Sequence, residues 1–324
     1  MSLVEVEGLQ VDFGSPRHPL RAVEDFSLTV DEGEVIGLVG ESGSGKSVSM
    51  LALMGLIGWP GRVTARRLRF AGADLDILSQ RQRRRMLGRD MAMVFQEPTA
   101  SLNPCFSIGY QIAETLAVHT HLPRRQRRRR VIELLRQVGI AAPEDRFGAF
   151  PHQLSGGMNQ RVMIAMALAC QPRLLICDEP TTALDVTVQS QILDLLLSLK
   201  QDIGMAMILV THDLGVIARM ARRVMVMYAG RVIEERPTAE LLERPRHPYS
   251  QALLDALPER VATRGRLAAI PGTVPGLADR PSGCAFHPRC RYAGALCRSR
   301  MPMLDDDASG RVSCHTPLNS GGEP

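Results

Sequence analysis

Lysine is nearly missing from this sequence. It stands only at Lys46 and Lys200, and the other 37 of the 39 basic residues are arginine, so the net charge of +5 is an arginine effect spread along the chain. Aromatic residues are scarce as well, at 4% with a single tryptophan. Two dense basic runs, 81–85 and 124–130, carry charge of the kind that neutralises phosphates. With no aromatics interleaved to stack bases, they read as solvated helix faces, and no nucleic-acid partner is expected. Long apolar runs are lacking too. The longest, such as 162–170, fall far short of the roughly 18–20 residues that a membrane-spanning helix needs. The opening segment Met1-Ser2-Leu3-Val4-Glu5-Val6-Glu7 has no basic stretch followed by an apolar one, so no secretory signal is expected. These absences place the chain in the cytoplasm, with any membrane role borrowed from partners.

What is present suffices for one large domain and an appendage: 324 residues, 45% hydrophobic and 23% charged. Over 3–30, alternating apolar and polar residues, with turn signals at Gly14-Ser15-Pro16 and Asp31-Glu32-Gly33, predict antiparallel strands. Three apolar runs then read as buried strands: Val35-Ile36-Gly37-Leu38-Val39, Leu174-Leu175-Ile176-Cys177 and Ala206-Met207-Ile208-Leu209-Val210. They alternate with helical spacing, as over 47–56, which predicts an α/β fold built on a mainly parallel sheet. A largely helical insertion over 99–160, punctuated by Pro104, Pro123, Pro143 and Pro151, reads as a separate lobe. The texture changes near Pro237 to Pro, Gly and Arg-rich sequence with short helical pieces over 250–257. The expected organisation is therefore a domain at 1–236, with the lobe inserted, and an extension at 237–324.

Gly40-Glu41-Ser42-Gly43-Ser44-Gly45-Lys46-Ser47, followed by Val48, fits the phosphate-loop pattern and lies between a predicted buried strand and a predicted helix. Glycines let backbone N–H groups wrap an anion, a lysine reaches the outer phosphates, and a serine hydroxyl holds Mg2+. The spacing is not that of a dinucleotide loop. Asp178 and Glu179 close the second apolar strand. In company with the loop, Asp178 is placed for the magnesium shell and Glu179 to orient and deprotonate water.

Leu154-Ser155-Gly156-Gly157-Met158, followed by Asn159-Gln160-Arg161, resembles the signature of the ABC ATPase family. The resemblance implies a phosphate-loop core with an antiparallel β subdomain and a helical lobe. It also implies a face-to-face pairing in which Ser155, Gly156 and Gly157 of one subunit hold the γ-phosphate bound by the other. Further roles follow at matching positions. Gln96 in Val94-Phe95-Gln96-Glu97-Pro98 looks like the glutamine that senses magnesium and attacking water. Asp185 in Ala183-Leu184-Asp185 resembles the acid that crosses the dimer seam, and His212 the histidine on the γ-phosphate. Phe13 is either the aromatic that stacks on adenine or a core residue. The implied cofactors are ATP and Mg2+, the latter through Ser47, Gln96 and Asp178.

Seven cysteines divide unevenly. Cys105, Cys170 and Cys177 are scattered, whereas Cys284, Cys290, Cys297 and Cys314 cluster in a Pro and Arg-rich segment with little core of its own. Disulfides are disfavoured in a reducing cytoplasm, which leaves zinc or an iron–sulfur cluster as a staple. Paired C-x-x-C knuckles are absent. The stretches Arg246-His247-Pro248-Tyr249, Ala256-Leu257-Pro258, Ile270-Pro271-Gly272 and Cys284-Ala285-Phe286-His287-Pro288-Arg289-Cys290 resemble the ATPases of dipeptide and oligopeptide importers. That resemblance implies a [4Fe-4S] cluster on the four cysteines and a heterodimer with a second ATPase. It further implies two transmembrane permease subunits, an extracytoplasmic peptide-binding protein, and a peripheral position on the cytoplasmic face of the inner membrane. Nickel or another small solute is the alternative cargo. A soluble ATPase acting on nucleic acid or ribosomes is disfavoured by the single phosphate loop and the absence of sustained heptads.

Overall fold

The computed structural model describes residues 2–15, 17–182, 184–257, 270–307 and 310–319. Pro16, Ala183 and Pro258, each part of a segment read above, lie outside the described residues. The chain divides into two compact units.

One unit comprises Ser2–Val30, Val35–Asp74 and Leu209–Pro324. Its first sheet starts from Ser2–Ser15, which buries Val4 and Val6, then Leu9 and Val11, each pair at the period of two and the two pairs separated by Gly8 at positive φ. Arg67–Phe70 pairs antiparallel with it (Val4↔Phe70, Val6↔Leu68), as does Arg62–Thr64 (Gln10↔Thr64). On the other side lies His18–Asp31, which buries Phe26, Leu28 and Val30 at the same period of two.

In its second sheet, Arg223–Tyr228 runs parallel to Val35–Val39, with Val226 opposite Val39. Both strands are continuous apolar runs because both of their faces are covered. Arg231–Pro237 returns antiparallel to Arg223–Tyr228 through Ala229 and Gly230, both at positive φ. Two short strands of the extension, Gly310–Val312 and Asp305–Asp307, then continue the sheet. The cysteine-bearing segment is expected to have little core of its own, and Phe286 within it packs edge to face on Tyr228 and Tyr249, with ring centroids 4.8–5.3 Å apart and all three rings almost wholly buried. The extension thus shares an aromatic cluster with Arg223–Tyr228, a sheet strand.

The other unit comprises Asp31–Glu34 and Leu75–Ile208. Met91–Val94 and Leu174–Asp178 are fully buried parallel strands, registered Met91↔Leu174 to Val94↔Cys177. The helices Ile108–His119, Arg124–Gln137 and Gly156–Ala167 pack together. Arg124–Gln137 shows why its arginine run is tolerated: Val131, Leu134 and Leu135 form the buried face, and Arg129 and Arg130 pair with Glu133 on the outside. Val186–Ile203 buries Ile192, Leu193, Leu196 and Leu199 and stops at Gly204, in the left-handed conformation. Among the described residues no helix is long and apolar enough to cross a membrane.

Candidate nucleotide site

Val35–Val39 delivers the chain into the glycine-rich loop. A side chain on Gly40 is excluded, because a Cβ there would lie 2.3 Å from the carbonyl oxygen of Met227. Gly43 and Gly45 have φ of 81° and 97°, which glycine adopts without strain. Ser42 and Gly43 face outward, whereas Ser44 and Lys46 are buried. The Lys46 ammonium donates to the carbonyl oxygens of Gly40 at 2.7 Å and Glu41 at 2.9 Å, and to Ser44 Oγ at 3.4 Å. Lys46–Met54 begins at the end of the loop, so Ser47 and Val48 occupy the first turn of a helix whose leading N–H groups suit an anion.

Glu41 is held from the extension. Its N–H donates to Tyr249 Oη at 2.8 Å. Its carboxylate accepts from Arg289 Nη1 at 2.7 Å and Nη2 at 3.0 Å. No local signal announces these contacts, which join residues 208 and 248 positions apart. Burial pushes the Tyr249 phenol up, so it remains neutral. Phe13 is half-buried near the end of its strand, with its ring against Gly61. His212 is exposed beyond the strand Ala206–Thr211. The neighbouring Asp213 caps Leu214–Met220 by accepting from the N–H groups of Gly215 and Val216.

In the other unit the parallel register brings two predicted site residues together. Val94 lies opposite Cys177, and Gln96 and Glu179 each stand two residues further on. Gln96 Nε2 donates to Glu179 Oε2 at 3.1 Å, and Thr182 Oγ1 donates to the same oxygen at 2.9 Å. Glu179 has φ of 46°, an unfavourable left-handed conformation for a residue with a side chain and one that clusters at functional sites. Asp178 is 6% exposed at the end of its strand. Oxygen donors of this kind suit Mg2+. The Cys177 thiol beside it is pushed up by burial and then by the Asp178 charge, and so is not a nucleophile.

Ser155 caps Gly156–Ala167 by accepting from the Met158 N–H, and Ser155 and Gly156 are exposed at that helix start. Gly157 is pressed against the next helix: a Cβ there would lie 2.9 Å from Val188 Cγ1. Asp185 caps that helix by accepting from the Val188 N–H at 2.9 Å. Val188 therefore links the Ser-Gly-Gly turn to the Asp185 turn.

The four cysteines of the extension are half-buried free thiols, and the Cys284 N–H donates to the Cys297 carbonyl oxygen at 2.8 Å. Burial first, and then the charges of its three fellow cysteines, push Cys314 up to about 11. Burial first also raises Cys284 and Cys290, with a further push from Cys297 and Cys290 on the former and from Cys297 on the latter. Four cysteine thiols in one short segment are the donor chemistry that zinc or an iron–sulfur cluster takes. Among the described residues, however, no three His, Cys, Asp or Glu side chains are arranged to hold a metal ion.

A family model described as "ABC transporter" matches residues 23–182, and one described as "Oligopeptide/dipeptide transporter, C-terminal region" matches 233–297. The chain is 54% identical to the dipeptide transport ATP-binding protein DppD of Escherichia coli, over all of this chain and 99% of that protein. It is 52% identical to DppD of Haemophilus influenzae, over all of this chain and 98% of the relative. A putative peptide import ATP-binding protein of Brucella ovis is 48% identical, with 93% of each chain covered. Among solved structures, the ATP-binding cassette MJ0796, dimeric and bound to ADP and Pi, superposes with a TM-score of 0.65 at 26% identity. That match covers 72% of this chain and 98% of the cassette. cbiO1 from Clostridium perfringens gives a TM-score of 0.61 at 29% identity, over 75% and 91%. The chain belongs to the ABC transporter ATP-binding family, in the branch that carries the oligopeptide/dipeptide transporter C-terminal region.

Proposed function

We propose that this chain binds and hydrolyses ATP to energise the import of dipeptides or oligopeptides through an ABC transporter, from the cytoplasmic face of the inner membrane. The observation that carries the reading is the end-to-end match, extension included, to dipeptide transport ATP-binding proteins. Residues 1–236 form the ATPase domain, with 99–160 as the lobe that meets the membrane subunits, and 237–324 form the importer-type extension.

The loop Gly40–Ser47 with Val48 binds the phosphates, Lys46 reaching the outer ones and Phe13 stacking on adenine. Glu179 orients the attacking water and takes its proton, held in place by Gln96 and Thr182. His212 contacts the γ-phosphate. Ser47, Gln96 and Asp178 would be the ligands of Mg2+, which would supply charge neutralisation at the phosphates. Ser155, Gly156, Gly157 and Asp185 serve the ATP of a second, related ATPase subunit, and the exposed, capped helix start of Gly156–Ala167 supports that role. Two permease subunits and an extracytoplasmic peptide-binding protein complete the transporter. Cys284, Cys290, Cys297 and Cys314 would be the residues to hold a [4Fe-4S] cluster. What supports this is the number of the thiols and their grouping within one segment of the C-terminal region.

The test is uptake of a labelled dipeptide by cells lacking the native gene, complemented with wild type or Glu179→Gln. Uptake restored by wild type alone is expected. Equal uptake with both variants removes Glu179 from the mechanism, and uptake with neither moves the cargo to another solute.

A further inference from the structure

Arg289 does more than decorate the cysteine-rich segment. Its side chain is 5% exposed, and its two terminal nitrogens grip both oxygens of the Glu41 carboxylate. Its Nε donates to the Pro271 carbonyl oxygen at 2.7 Å, and Nη2 also reaches that of Gly272 at 3.3 Å. The guanidinium carbon lies 5.8 Å from the centroid of Tyr228 and 6.0 Å from that of Phe286. The ring cluster beneath it includes Tyr249, whose hydroxyl accepts the Glu41 N–H. Glu41 is the second residue of the phosphate loop, and its carbonyl oxygen accepts from Lys46. One loop residue is thus fixed at its amide, its carbonyl and its carboxylate, and two of the three holds come from the extension.

We infer that Arg289 and Tyr249 are positioning residues for ATP binding: through Glu41 they hold the phosphate loop in its anion-wrapping shape, which makes the extension part of the nucleotide site. A planar bidentate pair fixes orientation as well as position, which an ammonium cannot do. The backbone of a phosphate loop acts through the direction of its N–H groups, so a small turn at Glu41 misdirects those that follow. Neither residue touches ATP in this scheme. The inference rests on the ATP-binding reading of the loop.

The experiment measures KM for ATP and kcat in the assembled transporter for wild type, Arg289→Ala, Arg289→Lys, Glu41→Ala and the double variant Glu41→Ala/Arg289→Ala. The expected result for Arg289→Ala is a KM raised about tenfold with kcat changed less, with only partial recovery in Arg289→Lys. The double variant is expected to be no worse than the poorer single one, since the two residues act through one contact. A KM within twofold of wild type for Arg289→Ala, or single effects that multiply in the double variant, overturns the inference. Should Arg289→Ala fail to assemble, Tyr249→Phe keeps the ring packing and removes only the hydroxyl. A several-fold higher KM is then expected, and an unchanged one overturns the inference. A wild-type transporter that does not hydrolyse ATP at all would instead defeat the reading of the loop itself.

Discussion

Gln96 and Glu179, 83 positions apart in the chain, meet at 3.1 Å, the amide of one donating to Oε2 of the other. Thr182 donates to that same oxygen, so the carboxylate is oriented from two directions. In the proposed role of general base, Glu179 would have its carboxylate oriented by these two donors before water arrives.

Replacing Glu179 by Gln preserves size and removes the base. ATP turnover in the assembled transporter should fall about 10²–10⁴-fold while ATP binding persists. Phosphate release and nucleotide retention on a filter report the two separately. Gln96→Ala should slow turnover less, since it loosens the base without deleting it. Turnover by Glu179→Gln within threefold of wild type would remove the residue from the chemistry.

Gly40→Ala tests the close approach between the loop and the strand Arg223–Tyr228. The added Cβ would lie 2.3 Å from a backbone oxygen, a contact that a rotamer change cannot relieve. A loss of stability of about 1–3 kcal/mol is expected, together with weaker nucleotide binding. Thermal melting with and without ATP measures both, and an unchanged midpoint would show that the loop accommodates the methyl group.

His247 should make the folded chain acid-sensitive. It is 1% exposed, its Nδ1 accepts the Tyr249 N–H at 3.0 Å, and burial pulls its imidazole down to about 3. Above the ordinary value of 6.5 the ring is neutral in both the folded and the unfolded chain, and its contribution to stability is complete. As pH falls below 6.5 the unfolded chain takes up a proton that the folded one refuses. Stability drops by about 1.4 kcal/mol per pH unit until the folded value is reached. Glu234, which accepts the His247 N–H, has the opposite sign: burial raises its carboxyl, so its contribution is full below the unfolded value and is lost as pH rises. His247→Asn keeps a cap for Tyr249 and isolates the histidine. Urea unfolding at pH 7 and pH 5 should show wild type losing about 2 kcal/mol more than the variant. Equal losses would refute the assignment.

For the cysteines, iron and sulfide analysis of anaerobically purified protein should return about four of each per chain. Zinc without sulfide would select the other staple, and neither metal would leave four ordinary thiols. Serine at any one of the four should lower the content sharply, whereas Cys105→Ser should not, since Cys105 is exposed and far removed in sequence.

The site motifs were legible because their chemistry is local. A phosphate loop needs closely spaced glycines after a buried strand, and Asp178-Glu179 is conspicuous at the end of an apolar one. The Gln96–Glu179 contact is nearly so, once the two strands are known to run parallel in register. Other features are set by distant partners. Asp305-Asp306-Asp307 has poor strand propensity, yet it pairs with Gly310–Val312, and Arg246 bridges to Asp307. The aromatic cluster that joins the extension to the sheet was hidden because its three rings come from residues 228, 249 and 286. The hold of Arg289 on Glu41 spans 248 residues and leaves no periodic trace in either segment.

Lys46 brings its own competitor. Its ammonium has three protons to donate, and the loop offers it oxygens at Gly40, Glu41 and Ser44. A phosphate that recruits this lysine must outbid carbonyl groups tethered a few residues away, so the affinity of the loop is a difference between two sets of bonds. A singly charged anion gains little from such an exchange, whereas a polyphosphate chain meets the ammonium and the helix N-terminus together. The preference expected of the loop is therefore for a polyphosphate over a small monovalent anion. Millimolar chloride should accordingly leave ATP binding untouched in a competition titration.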